Sequence, residues 1–138
     1  VNIDGFITRG AEAFVSREFK PYKASISLSK TDYSLSNGLK AQKKPYESAT
    51  FKLEYKYSDS HLFAMSVLYN SRRYEYTKNQ TKKNTLKAYE VVDLKYIYSK
   101  NSLRVMTTIK NIFNRDYETS MNYSTQGLGA QLNLQYLY

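Results

Sequence analysis

In the stretch ESATFKLEYKY, residues 47 to 57, polar and apolar side chains alternate without an error from Ser48 onwards. Its two sides, apolar first, are Ala49, Phe51, Leu53, Tyr55 and Tyr57 against Ser48, Thr50, Lys52, Glu54 and Lys56. Successive side chains of a β-strand point to opposite faces of a sheet. The period of two therefore predicts a strand with one apolar and one polar face.

The same two-faced pattern recurs along the chain and predicts about seven antiparallel strands. Their expected positions are about residues 6 to 19, 22 to 29, 47 to 57, 62 to 72, 88 to 98, 103 to 113 and 130 to 138. Neither a helical period nor a heptad repeat interrupts this series. The sequence therefore predicts an all-β protein.

The predicted connections alternate between short and long. Short turns are expected around residue 21, at 58 to 61 and at 99 to 101, and long loops at 31 to 46, 73 to 86 and 114 to 127. Short turns at one rim and long loops at the other are typical of an outer-membrane β-barrel, with the turns in the periplasm.

Tyrosines mark the ends of the strands that run towards the short turns: Tyr55, Tyr57, Tyr96, Tyr98, Tyr136 and Tyr138. A row of amphipathic rings at one height predicts an aromatic girdle at the membrane interface. A soluble antiparallel sheet with one packed face also alternates. Such a sheet has no reason to place tyrosines along one rim, so the sequence favours a transmembrane barrel.

Composition excludes several classes of protein. The 138 residues contain no cysteine and a single histidine, His61, which excludes disulfide frameworks, thiol chemistry and zinc sites built from cysteine. We therefore expect no metal site and no cofactor. No nucleophile and base converge in the sequence, so we do not expect an enzyme. His61, in a predicted turn, is expected to be an ordinary surface residue.

The chain is basic, with 21 Lys and Arg against 12 Asp and Glu and a net charge of +9. Charge alone admits nucleic acid, an anionic membrane surface or an anionic ligand as partner. Basic residues interleaved with tyrosines can bind single-stranded nucleic acid by stacking. Most tyrosines here fall at strand ends rather than across a groove, so we expect no nucleic-acid partner.

Seven strands cannot close a bacterial barrel, because single-chain barrels use even numbers of strands and leave no open edge in lipid. The chain is thus either an eight-stranded barrel with one strand missed, serving adhesion or a structural role, or part of a much larger barrel. Small hydrated groups on the polar face suit a wide, wet lumen and favour the larger barrel. The residues expected to face that lumen are Glu12, Ser27, Lys52, Glu54, Asp93, Lys95 and Asn133.

Several short motifs follow one another in a familiar order. They are Gly10-Ala11-Glu12, the run from Tyr89 to Leu94, the run IKNIFNRDY at 109 to 117, and Gly127 and Gly129 before a last strand that ends in an aromatic residue. Together they resemble the carboxyl-terminal third of the barrel of TonB-dependent outer-membrane receptors. The chain departs from the family at Ala130, where arginine is frequent, and in its terminal tyrosine, where phenylalanine is commoner.

The resemblance implies that residues 1–138 are the carboxyl-terminal part of a barrel of about 22 strands with a plugged lumen. It implies a receptor in the outer membrane of a Gram-negative bacterium, surrounded by lipid and lipopolysaccharide. Such a receptor takes up a scarce nutrient with energy from TonB, such as a ferric siderophore, haem or another metal complex. The rest of the barrel, the plug domain and the segment that contacts TonB would precede Val1.

The long loops carry the candidate ligand-binding residues: Arg72, Arg73, Tyr74, Tyr76 and Tyr117. Further basic residues of these loops are Lys40, Lys43, Lys44, Lys78, Lys82, Lys83 and Lys87. They either attract an anionic ligand to the mouth or form a solvated surface. Tyr117 and Asn111 match the family pattern and could instead fix the geometry of the last loop.

Overall fold

The computed structural model describes residues 6–35, 42–76 and 83–136, which contain eleven strands. They are β1 (Phe6–Phe19), β2 (Tyr22–Leu35), β3 (Glu47–Lys56), β4 (His61–Asn70), β5 (Arg73–Tyr76), β6 (Lys83–Leu86), β7 (Tyr89–Lys100), β8 (Leu103–Lys110), β9 (Glu118–Ser120), β10 (Tyr123–Ser124) and β11 (Gly129–Tyr136). Within these ranges, no helix is long and apolar enough to cross a membrane. The predicted all-β class is confirmed.

Seven of the strands form one antiparallel sheet, in the order β1-β2-β3-β4-β7-β8-β11. Strands β1 and β11 are its two edges. Within the described residues, these two strands do not pair with each other, so the sheet does not close on itself. An open edge exposes a row of unpaired backbone N–H and C=O groups. The sheet is therefore open, and the expectation of about seven strands with two open edges is confirmed.

Strand β2 is longer than predicted, since it runs to residue 35 rather than 29. Its extra residues pair with the first part of β1, from Lys30 opposite Ala11 to Leu35 opposite Phe6. A ladder of backbone hydrogen bonds does not require alternating side chains. The loss of alternation after residue 29 therefore did not signal the end of the strand.

The long connections also contain more structure than predicted. Strands β5 and β6 form a hairpin within the expected loop at 73 to 86, and β9 and β10 form a smaller one within 114 to 127. Strand β8 ends at Lys110 instead of residue 113. The chain turns there because Asn111 and Asn114 adopt φ values of 50° and 48°.

Register defines the two faces of the sheet, because residues directly opposite each other in antiparallel strands share a face. One row across the sheet is apolar throughout: Ile26, Phe51, Val67 and Val92. The next row is polar throughout: Ser25, Lys52, Ser66 and Asp93. We call these the outer face and the polar face. All seven residues predicted to face a lumen fall on the polar face, and that it lines a lumen stays a prediction.

The polar face also carries apolar residues that the sequence pattern did not single out. Leu62 lies opposite Ile97, which lies opposite Met106, so these three residues form a row near the short-turn rim. Phe14, on β1, lies on the same face and is 68% exposed. The polar face therefore offers apolar surface for a partner as well as groups that favour water.

The outer face is apolar and largely uncovered. Leu132 and Leu134 on β11 are 63% and 70% exposed, and the buried apolar side chains among the described residues are Leu86 and Tyr89. Soluble monomers rarely leave an apolar patch of this kind open to water. The sheet thus lacks a packed core of its own and needs an apolar environment against its outer face.

If the outer face meets lipid, Leu132→Arg should be far more damaging than Asn133→Lys, although the two residues are adjacent. An arginine on the lipid face costs up to about 2 to 4 kcal/mol, depending on its depth in the bilayer, whereas the lysine would join a hydrated face. Urea unfolding of the full-length protein in lipid vesicles measures the difference. Equal costs for the two substitutions would contradict the assignment of the faces.

Candidate functional site

The long-loop rim holds a compact group of side chains that we call the loop cluster, consisting of residues 42–46, 71–76, 83–89 and 111–128. The hairpin β5–β6 provides one side of it. The segment between β8 and β11, with the short strands β9 and β10, provides the other. Strand β5 is the element that ties the two sides together.

Arg73, on β5, lies inside the loop cluster and is only 3% exposed. Its Nη2 donates a hydrogen bond of 2.7 Å to the backbone oxygen of Glu118. Its guanidinium carbon lies 4.8 Å from the ring centroid of Tyr89, which stacks on Tyr117 with centroids 4.2 Å apart. A cation over an aromatic face is stabilised by the ring quadrupole, so Arg73 clamps the two loops.

Glu75 forms a second tie two residues further along the strand, on the same side of β5 as Arg73. Its carboxylate accepts hydrogen bonds from the Met121 amide at 2.6 Å and from the Ser120 hydroxyl at 3.2 Å. The Lys43 ammonium lies 3.2 Å from it. The Met121 hydrogen bond, with help from Lys43 and Ser120, holds the pKa of Glu75 below its ordinary value, although partial burial opposes this.

The opposite side of β5 presents Tyr74, with Arg72 just before the strand and Tyr76 at its end. Lys83 Nζ lies 4.0 Å above the Tyr74 ring, and the ring of Tyr46 meets that of Tyr74 edge-on at 6.2 Å. Arg72 and Lys83 are exposed. This side combines accessible cations with aromatic rings.

These positions divide the five candidate ligand residues. Arg72, Tyr74 and Tyr76 lie on the side of β5 that faces away from the clamp, and their binding of ligand stays a prediction. Arg73 is placed differently from the expectation, because its buried guanidinium is engaged in holding the loops. Tyr117 stacks on Tyr89, which supports the geometric role that the sequence also allowed.

Asn111 anchors the last loop from a position that is 3% exposed. Its side chain donates to the Arg115 oxygen at 2.9 Å and accepts from the Arg115 amide at 2.8 Å. Its own amide donates to Asp93 Oδ1 at 2.8 Å. Asparagine tolerates the left-handed φ of 50° better than most residues. These contacts support the expected structural role of Asn111.

At the short-turn rim, aromatic rings follow one another across the outer face. The centroid distances are 5.8 Å for Phe19–Tyr22, 4.9 Å for Tyr22–Tyr55, 6.3 Å for Tyr55–Phe63 and 5.0 Å for Phe63–Tyr96. Tyr57 and Tyr98 extend this group on the side of the turns. We call these residues the aromatic belt.

His61 was expected to be an ordinary surface residue in a short turn, and the structure places it directly after that turn. It begins β4, and its ring lies 5.9 Å from that of Tyr96 and 5.0 Å from that of Tyr98. Its Nδ1 and the Tyr96 hydroxyl are 2.7 Å apart and share a hydrogen bond. His61 therefore belongs to the aromatic belt.

Two further tyrosines, Tyr136 and Tyr138, were predicted to belong to the girdle. Tyr136 ends the described part of β11 and is 63% exposed on the outer face. Tyr138 lies outside the described residues, as do Lys40, Lys78 and Lys82 of the loops. Among the residues that are described, no group of three or more His, Cys, Asp or Glu side chains is placed to hold a metal ion.

Comparisons with protein-family models and with curated protein sequences find no match. Comparison with solved structures finds clear likenesses. The ferripyoverdine receptor of the outer membrane of Pseudomonas aeruginosa aligns over 94% of this chain and 19% of its own, with a TM-score of 0.76 and 17% identity. The FrpB iron transporter from Neisseria meningitidis aligns over 95% of this chain and 23% of its own, with a TM-score of 0.78 and 17% identity.

The ferric-catecholate import receptor Fiu from E. coli is also similar, with a TM-score of 0.70 and 15% identity over 94% of this chain and 21% of its own. At such identities the likeness shows the fold. The chain thus spans about a fifth of the length of the receptors it matches. Its resemblance to TonB-dependent outer-membrane receptors is confirmed at the level of the fold, as a segment of their barrel.

Replacing Glu75 by glutamine should loosen the link between the two loops. The variant keeps the shape of the side chain but loses the charge that strengthens its hydrogen bonds to Met121 and Ser120. The free energy that holds the loop should fall by roughly 1 kcal/mol, so the Met121 amide should exchange about fivefold faster. Since the pKa of Glu75 is lowered on folding, the wild type keeps this contribution at neutral pH and loses it as pH falls through the folded pKa.

Hydrogen exchange at neutral pH measures this effect. Asp59→Asn is the matched control, because it also removes a carboxylate, but at the opposite rim. The Asp59 carboxylate there lies 2.7 Å from the Lys56 ammonium. Unchanged exchange at Met121 in Glu75→Gln, or an equal change in the control, would show that Glu75 does not hold the loop.

Asn111→Ala should destabilise the last loop by about 2 to 4 kcal/mol. It removes the buried side-chain hydrogen bonds to Arg115, and alanine tolerates a positive φ less well than asparagine. Asn111→Gly removes the same bonds but tolerates the backbone, and should recover about 1 kcal/mol of the loss. Urea unfolding compares the two variants. If alanine cost no more than glycine, the backbone conformation would not be the reason for asparagine here.

Proposed function

We propose that this chain forms part of the wall of an outer-membrane receptor that takes up a scarce nutrient in a Gram-negative bacterium. The observation that carries the proposal is that the two rims of the sheet differ while the face between them is apolar and exposed. One rim has short turns and an aromatic belt, and the other has the loop cluster, while the apolar outer face between them lies open. Solved receptors with this fold support it.

In this proposal the outer face contacts lipid and the aromatic belt lies at the periplasmic interface, where rings with one polar end are stable. The loop cluster is then extracellular. The polar face lines the lumen, and β1 and β11 pair with strands of the remaining barrel, because unpaired backbone groups are costly in lipid. A self-contained barrel acting in adhesion is disfavoured, since β1 and β11 are opposite edges of the described sheet.

The ligand we propose is an anionic metal complex, most simply a ferric siderophore, with haem as a variant of the same class. Arg72, Lys83 and Lys87 are exposed at the loop cluster, and a basic rim concentrates anionic ligands by electrostatic attraction. The similar proteins include a ferripyoverdine receptor and a ferric-catecholate import receptor. This chain would act as a transport receptor and would carry out no chemistry on the ligand.

The remaining parts of the proposal are a plug domain in the lumen and energy from TonB. The apolar row of Leu62, Ile97 and Met106 on the polar face supports a packed partner on that side. Water alone would favour polar side chains there. The plug and the segment that contacts TonB would come from elsewhere in the same receptor.

Uptake of radioactive iron by cells tests the proposal. Deleting the gene that contains this chain should abolish uptake of at least one iron complex under iron starvation, and loss of TonB should have the same effect. Charge reversal at Arg72, Lys83 and Lys87 together should weaken uptake severalfold. Reversal of Lys56, at the opposite rim, is the control. Normal uptake of every ferric siderophore and haem source after deletion would refute an iron receptor.

A further inference from the structure

The outer face of β7 changes character in three steps towards the short-turn rim. Every second residue of the strand points to this face, which gives Leu94, Tyr96, Tyr98 and Lys100. The order is aliphatic, aromatic and cationic. This is also the order in which a phospholipid changes from acyl chain through glycerol to phosphate.

The spacing of these residues fits one leaflet of a bilayer. Leu94 and Lys100 are six residues apart, which corresponds to about 20 Å along a strand. A tilt of about 40° reduces this to roughly 15 Å of height. Half of a hydrocarbon core of about 30 Å has the same depth. Lys100 therefore lies at headgroup level when Leu94 lies near the middle of the bilayer.

An apolar groove of about 300 Å³ begins beside these residues on the outer face. Its lining includes the apolar side chains of Leu53, Phe63, Leu94 and Ile109, together with the smaller Thr107. The ring pairs Tyr55–Phe63 and Phe63–Tyr96 lie at its end towards the short turns. The mainly apolar lining of the groove suits a hydrocarbon chain.

Two lysines at the short-turn rim differ in their partners. Lys56, which register places on the polar face, pairs with Asp59 at 2.7 Å. Lys100 is exposed on the outer face and forms no ion pair with the described residues. A cation that faces the membrane interface without a carboxylate is complementary to an anionic headgroup, and a basic residue near such a surface is attracted to it.

From these observations we propose that the groove and Lys100 form a binding site for one anionic phospholipid of the periplasmic leaflet. One acyl chain occupies the groove beside Tyr96, the ring of Tyr98 lies towards the glycerol region, and the ammonium of Lys100 pairs with the phosphate. The site rests on the proposed orientation of the sheet in the outer membrane. It is independent of the nutrient and of the loop cluster.

Lipid retention measured by native mass spectrometry tests the site. The full-length protein in detergent is titrated with phosphatidylglycerol or with phosphatidylcholine of the same chains. Wild type should bind phosphatidylglycerol more tightly than phosphatidylcholine. Lys100→Gln should bind phosphatidylglycerol about fivefold more weakly than wild type does, which corresponds to about 1 kcal/mol for one basic residue at the surface. Thr107→Phe fills the groove and should weaken the binding of both lipids.

Lys56→Gln is the matched control, because it removes one positive charge from the same rim but on the other face. It should leave the affinity for phosphatidylglycerol unchanged. Equal loss in Lys56→Gln and Lys100→Gln would mean a general charge effect and would overturn the site. So would a Thr107→Phe variant that binds both lipids as the wild type does.

Failure of this inference can be told apart from failure of the proposed function. If only the lipid site is wrong, the protein stays dependent on detergent and binds both lipids equally in wild type and Lys100→Gln. If the sheet is not in a membrane at all, the protein is recovered without detergent and retains neither lipid. If the nutrient is wrong, the lipid measurements are unaffected.

Discussion

The constraint on which the rest of this structure depends is the pairing of backbone hydrogen bonds in a sheet that has no interior of its own. The described residues bury few apolar side chains, so side-chain packing within the chain cannot supply much stability. The ladders between β1, β2, β3, β4, β7, β8 and β11 provide the order instead. They also fix register, and a slip of one residue would exchange the outer face with the polar face.

Because register is so restrictive, the sequence predicted the faces well. The alternation at residues 47 to 57 placed Lys52 on one face and Leu53 on the other, and the structure agrees. The tyrosines at the strand ends predicted which residues come together at one rim, and Tyr55 and Tyr96 indeed both contact Phe63. Those predictions needed only the period of a strand and the direction of travel along the chain.

The loop cluster could not be predicted in the same way. The clamp from Arg73 reaches a residue 45 positions away in sequence, and no periodic pattern records a contact between two loops. From sequence alone, the run RRYEY at 72 to 76 looks like charged residues exposed to solvent. The partners of Arg73 and Glu75 include backbone groups of Glu118 and Met121, and the identity of a residue does not record the contacts of its backbone. The contacts of His61 were not predicted for a related reason, since only the pairing of β4 with β7 brings it beside Tyr96.

The two rims thus solve different physical problems with similar residues. At the short-turn rim, tyrosine rings lie between apolar and polar surroundings, and their value comes from being amphipathic. At the long-loop rim, the rings of Tyr89 and Tyr117 support a buried cation that joins two loops. Joined loops lose little additional conformational entropy when a ligand binds, because much of their freedom is already lost on folding. The clamp therefore gives the exposed cations beside Tyr74 a support that is already ordered, which is the condition under which the proposed binding of an anionic ligand would cost least entropy.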